Sequence, residues 1–122
     1  MIVITPAGRG AEGHVLALPK GHPDGDESEV EAAVREVREE TGAEAEPIEK
    51  LGEIRYTYER KGRPIDKRVA FYLLQYRGGE LGHDHEIADV RWMPLEEAER
   101  SLTYEGEREM ITRALARVAK GR

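Results

Sequence analysis

Residues Gly21 to Ala43 read GHPDGDESEVEAAVREVREETGA, and the local chemistry of this stretch decides how the chain is organised. Ser28 followed by Glu31 is a capping-box start, in which each side chain serves the other residue's backbone N–H. Val30, Val34, Val37 and Thr41 then recur at helical spacing, and Gly42 follows as a residue suited to the left-handed turn beyond a helix end. A helix from about Ser28 to Thr41 is predicted. At 3.6 residues per turn, Glu36, Glu39 and Glu40 fall within roughly 100° of arc on the side away from the valines. Three carboxylates therefore share one helix face.

Like charges three and four residues apart cost an isolated helix roughly a few tenths of a kcal/mol per pair. The cluster asks for positive charge, and a hard divalent cation with oxygen ligands supplies it; Mg2+ in particular takes a few carboxylates together with substrate phosphate oxygens. The loop from Gly21 to Glu27 can bring backbone carbonyls and Glu27 to the same place. In a chain with 20 Glu an acidic helix face is ordinarily solvated surface. The spacing separates this face from decoration. Gly21, Glu27, Arg35, Glu36, Glu39, Glu40 and Gly42 should coincide by chance on the order of once in ten thousand such chains.

Written as G-x5-E-x7-R-E-U-x-E-E-x-G-U, with U aliphatic, this spacing resembles the signature of the Nudix (MutT-related) hydrolases. Ala43 departs from it, since the family usually carries a larger aliphatic there; the difference bears on packing below the helix end. The resemblance implies an α/β (α+β) fold, an α/β/α sandwich with a mixed sheet. It also implies Mg2+ or Mn2+ held by Glu36, Glu39, Glu40 and the Gly21 carbonyl, and water attacking phosphorus in line with Glu36 or Glu86 as the base. Arg35, next to Glu36 and near Glu27 if the loop folds back, is expected to orient the carboxylates by charge-assisted hydrogen bonds. Glu27 and Gly42 support the motif.

At 122 residues the chain is read as a single domain with one core, with 39% hydrophobic and 36% charged residues,. It has no Cys, so disulfides and thiolate metal sites are excluded,. With no signal peptide and no apolar run near the roughly 18 residues a span requires, a cytoplasmic protein without membrane contact is expected. A net charge of −6 argues against stable nucleic-acid binding,. It leaves room for a small phosphorylated substrate, because bound divalent ions invert the local field.

Met1 to Thr5 (MIVIT) and His14 to Leu18 (HVLAL) read as short strands separated by the turn-rich Pro6 to Gly13. Family members usually carry another strand ahead of MIVIT, so the sheet is expected to be one N-terminal strand short. After the helix, Ala43 to Pro47 reads as a connection or edge strand and Leu51 to Glu59 as a strand. Arg60 to Pro64 reads as a hairpin turn, and Lys67 to Tyr76 as a central strand. A loop at His83 to Ile87 precedes a short strand at Asp89 to Met93. Pro94 opens a helix to about Ser101, and a last amphipathic helix runs from about Glu105 to Ala119 with Met110, Ala114, Leu115 and Val118 inward.

Outside the signature, Glu86 stands six residues before Trp92. By resemblance to several Nudix subfamilies it is expected on a loop facing the metals, as ligand or base. His83 and His85 beside it read as surface histidines. LPKGH, with Lys20 and His22, looks like the lead-in to the signature in the branch that cleaves diadenosine polyphosphates. Lys67 resembles the phosphate-contacting lysine of that branch, and Tyr56, Phe71 and Tyr104 stand where the branch stacks adenine; packing is the competing role for each ring. Six basic residues against two acidic ones lie between Arg55 and Arg68, most of them expected to be solvated,.

The expected activity is thus cleavage of a nucleoside diphosphate linked to another group, with diadenosine polyphosphates first. An 8-oxo-dGTP sanitising pyrophosphatase stands second and a diphosphoinositol polyphosphate hydrolase third. A nucleotide-sensing module without turnover is the alternative of a different class. Monomer and homodimer both remain open.

Overall fold

The computed structural model describes residues 1–6, 15–82 and 87–120. Within the Gly21 to Ala43 stretch lies α1 (Glu29–Thr41), with Ser28 as N-cap and both halves of the capping box in place. The Ser28 N–H donates to the Glu31 carboxylate at 2.9 Å and the Glu31 N–H to the Ser28 hydroxyl at 3.2 Å. At the other end Gly42 takes the left-handed conformation, φ 81°, and its N–H donates to the Arg38 carbonyl. A side chain there would be strained twice over, since a Cβ would also collide with the carbonyl oxygen of Glu80,.

Four strands and two further helices complete the described fold: β1 (Ile2–Pro6), β2 (Glu44–Arg60), β3 (Arg63–Gly78), β4 (Ile87–Trp92), α2 (Leu95–Ser101) and α3 (Glu105–Lys120). The α+β architecture matches the expectation. Among the described residues the mixed sheet resolves into two antiparallel ladders, β1 with β4 and β2 with β3. β3 pairs only with β2 there, so it is not a central strand. Val69 and Phe71 are buried because they pack with Val3, Met93, Leu102, Met110 and Ile111 in the main core cluster.

Where two separate pieces were expected before the hairpin, β2 is continuous over 17 residues. Register shifts at Pro47/Glu49 and Lys50/Gly52 interrupt the apolar-polar alternation but not the ladder,. The bulge also accommodates Pro47, which has no N–H to give. The ribbon closes through Lys61 (φ 53°) and Gly62 (φ 76°), both left-handed as a two-residue type I′ hairpin requires,.

The expected strand at His14 to Leu18 is reduced, over its described residues, to one bridge between Ile4 and Ala17. Side chains have taken two of its backbone donors. The Leu16 N–H donates to the Thr103 hydroxyl at 2.8 Å and the Leu18 N–H to Glu107 at 2.7 Å, and just beyond it the Lys20 N–H donates to Glu40 at 3.0 Å. The helix expected after Pro94 and the last helix are present, with Met110, Ile111 and Ala114 buried. Among the described residues no helix is long and apolar enough to cross a membrane.

The left-handed Gly42 makes a measurable demand. Ser28→Ala is expected to cost about 1 kcal/mol of stability, as loss of an N-cap does. Gly42→Ala should cost more than that, because strain of roughly 1–2 kcal/mol for the left-handed backbone adds to the collision with Glu80. Urea denaturation of both variants checks the order.

Candidate functional site

Arg35 organises the site. Its Nε donates to both Glu27 oxygens, at 2.8 and 3.1 Å, and its Nη2 to Glu27 Oε1 and to the His22 carbonyl, each at 2.9 Å. Its Nη1 donates to Glu36 at 2.5 Å and to Glu39 at 3.0 Å. One planar fork thus ties the loop before α1 to three carboxylates of the signature. The Glu27 carboxyl is held below its ordinary range chiefly by the Arg35 hydrogen bonds, and the guanidinium is raised in turn by Glu27 and then Glu36.

Gly21 lies directly on Glu36, and a Cβ built on it would fall onto the Glu36 carboxyl group. A side chain at this position would push the Glu36 carboxyl group aside,. One turn further along α1, Glu40 accepts from the Lys20 N–H at 3.0 Å. Its carboxyl is pushed up to about 8 from 4.5, first by burial and then by the charge of Glu36 and a hydrogen bond with that carboxyl, against the opposing Lys20 N–H. The Glu36 charge and the burial of Glu40 thus act in the same direction, against ionisation of Glu40,.

Glu39 behaves differently. Its side chain is 52% exposed and its carboxylate is drawn to Arg35. Among the described residues no three acidic or histidine side chains converge into a ready cage, so the three expected ligands do not stand as one tight cluster. The donor chemistry nevertheless fits a small hard cation. Glu36 and Glu40 stand one turn apart on α1 with the Gly21 backbone alongside, and carboxylate and carbonyl oxygens are the donors a divalent ion of this kind takes,. Glu86, His83 and His85 lie outside the described residues.

The other candidates divide into two groups. Lys20 Nζ contacts Glu107 at 2.7 Å and lies 5.1 Å from the ring centroid of Tyr56 and 5.2 Å from that of Tyr104. The Tyr56 hydroxyl donates to the same Glu107 oxygen at 2.9 Å. Burial, then Glu107, push that phenol up. His22 is depressed by burial first and by the charge of Lys67 second, with Glu36 opposing. Lys67 itself is exposed and lies 5.6 Å from the Tyr58 ring centroid. Phe71, only 6% exposed, belongs to the core cluster and is withdrawn from the carboxylates.

A cavity of about 180 Å3 lined by Leu18, Val37, Phe71, Leu74, Trp92 and Ile111 faces the valine side of α1. Val37 is the one residue of α1 that lines it, and none of the carboxylates does. Sequence reasoning missed Glu107, which is fully buried. A signal existed: Glu107 stands three, four and seven residues before Met110, Ile111 and Ala114, so it falls on the apolar stripe of α3,.

A family model described as NUDIX domain matches residues 3–114. Over 95 residues, 77% of this chain, the sequence is 41% identical to a protein named mutator protein MutT4 from Mycobacterium tuberculosis, of which it covers 38%. It is 34% identical over 104 residues to an 8-oxo-(d)GTP phosphatase from Mycolicibacterium smegmatis, covering 83% of this chain and 30% of that one. The chain thus spans about a third of the length of these relatives. Among solved structures, a C. elegans Ap4A hydrolase binary complex is similar with a TM-score of 0.70 at 25% identity, covering 98% of this chain and 85% of that one.

The raised Glu40 carboxyl sets a sign for pH dependence. Its proton is bound more tightly in the folded than in the unfolded chain, so its stabilising contribution is full below about pH 4.5 and is lost as pH rises towards about 8,. In EDTA the thermal midpoint of the wild type should fall across that window more than that of Glu40→Gln. Saturating Mg2+ at pH 7 should release a proton, read by calorimetry in buffers of different ionisation enthalpy.

Proposed function

The chain belongs to the NUDIX family, and on that premise we propose that it is a hydrolase of phosphoric anhydride bonds, acting with Mg2+ or Mn2+ on a nucleoside diphosphate linked to another group. The observation that carries this reading is the Arg35 fork, which holds Glu27, Glu36 and Glu39 together while the Gly21 backbone lies against Glu36 and the Lys20 N–H donates to Glu40.

Glu36, Glu40, Glu39 and the Gly21 carbonyl would hold the cation. When bound it neutralises charge on the phosphate oxygens and lowers the pKa of a water. The remaining work falls to the chain. Arg35 fixes the Glu36 carboxylate by a hydrogen bond and holds the Gly21–Glu27 loop against α1, so the donors need no reorganisation when substrate arrives,. Glu36 and Glu86 are the two groups proposed to accept the proton of the attacking water, with a phosphate as the leaving group. Lys20, His22 and Lys67 would accompany the phosphates, and Tyr56 or Tyr104 would offer a face to a nucleobase. Phe71 keeps only a packing role in this reading.

Diadenosine polyphosphate is the first substrate class, supported by Lys20, His22, Lys67 and the likeness to the Ap4A hydrolase fold. A second reading, sanitation of an oxidised nucleotide such as 8-oxo-dGTP, is favoured by the sequence likeness to the MutT4 protein and the 8-oxo-(d)GTP phosphatase.

Product analysis by anion-exchange chromatography in Mg2+ separates the readings. ATP plus AMP from diadenosine tetraphosphate supports the first, and a monophosphate plus pyrophosphate from 8-oxo-dGTP the second. Glu40→Gln should lower turnover by roughly a hundredfold or more, a loss of about 2.7 kcal/mol of transition-state stabilisation. Nucleotide binding without any metal-dependent product would instead mark a sensing module.

A further inference from the structure

Among the described residues Glu107 is the only charged residue that is fully buried, and the carboxylate site proposed above does not use it directly. It sits in the first turn of α3, where the helix N-terminus favours negative charge,. Three donors converge on it: the Leu18 N–H at 2.7 Å on one oxygen, and Lys20 Nζ at 2.7 Å and the Tyr56 hydroxyl at 2.9 Å on the other. Burying an ion is costly unless its hydrogen bonds and its counter-charge are both supplied. Here both are.

Lys20 faces two ways. Its ammonium is held by Glu107 between the rings of Tyr56 and Tyr104, while its backbone N–H donates to Glu40 at 3.0 Å. The next residue, Gly21, lies on Glu36. We propose that Glu107 is a positioning residue. From α3 it grips the Leu18–Gly21 segment at two points, the Leu18 N–H and the Lys20 ammonium, and so holds the Lys20 N–H and the Gly21 backbone against the Glu40–Glu36 pair. It thereby sets the affinity of that pair for a divalent cation. The inference rests on the reading of the pair as the metal-holding site. Simple packing does not account for the arrangement. An apolar side chain in line with Met110, Ile111 and Ala114 would fill the same place without a buried ion pair.

The test is Mn2+ binding to the full chain, read from the electron-paramagnetic signal of the free ion, with Glu40→Gln as control and the thermal midpoint of every variant in parallel. Glu107→Gln still accepts from Leu18 and Tyr56 but loses the charge that holds Lys20. Its Mn2+ dissociation constant should rise about tenfold, the scale expected when the partner that orients a ligand is removed. Lys20→Met should do more harm, because it leaves Glu107 buried without its cation. Lys20→Met combined with Glu107→Gln should recover towards Glu107→Gln alone, a non-additivity that independent packing sites do not give.

If Glu107→Gln and the double variant both bind Mn2+ within about twofold of the wild type while Glu40→Gln has lost it, Glu107 only packs α3 and the inference is overturned. If Glu40→Gln binds as the wild type does, the metal reading of the pair fails and takes the inference with it. Should Glu107→Gln fail to fold, the double variant carries the test, since replacing both members of a buried pair leaves no unpaired charge.

Discussion

The Arg35 guanidinium touches almost everything that makes the site a site. Its three nitrogens reach Glu27, the His22 carbonyl, Glu36 and Glu39. Without a cation of fixed geometry in their midst, the loop and the helix face would repel each other, since both are acidic. A lysine offers one point charge and could not span these acceptors at once. The spacing of the signature follows from this fork. Glu27, just before the N-cap, must fold back onto Arg35, and a side chain at Gly21 would displace the Glu36 carboxyl group that Arg35 holds.

What the sequence made legible divides along the range of the interactions involved. The capping box at Ser28 and Glu31, the left-handed Gly42 and the two-residue hairpin turn are local, and each could be read from neighbouring residues. Likewise, the placement of Arg35 beside Glu27 needed only a loop that closes over eight residues. The strand expected at His14 to Leu18 was not recoverable in this way. Its Leu16 and Leu18 donors are taken by Thr103 and Glu107, groups 87 and 89 residues distant. No local pattern reports that a distant side chain will outbid a neighbouring strand for an N–H.

The same distinction runs through the charges. In a chain with 20 Glu, most carboxylates are surface groups, and composition alone gives no reason to single one out. The structure sorts them by what surrounds each oxygen. Glu39 is open and held by Arg35, Glu40 is half-buried and accepts from the Lys20 N–H, and Glu107 is enclosed by three donors. Identical side chains become a tether, a ligand candidate and a buried strut. The aromatic rings sort in the same manner: Phe71 joins the core, whereas Tyr56 and Tyr104 flank the Lys20 ammonium.

The β2–β3 ribbon carries a further consequence. Its register sets Arg55 opposite Arg68 and Arg60 opposite Arg63, and among the described residues none of these four forms an ion pair. Six basic residues against two acidic ones between Arg55 and Arg68 give that stretch +4, so the rest of the chain carries −10. The net −6 is therefore the sum of two separated poles. A small anion diffusing towards this protein meets a dipole and is turned towards the hairpin before it touches anything. The acidic body repels it while the ribbon draws it in, and dissolved salt weakens both effects together.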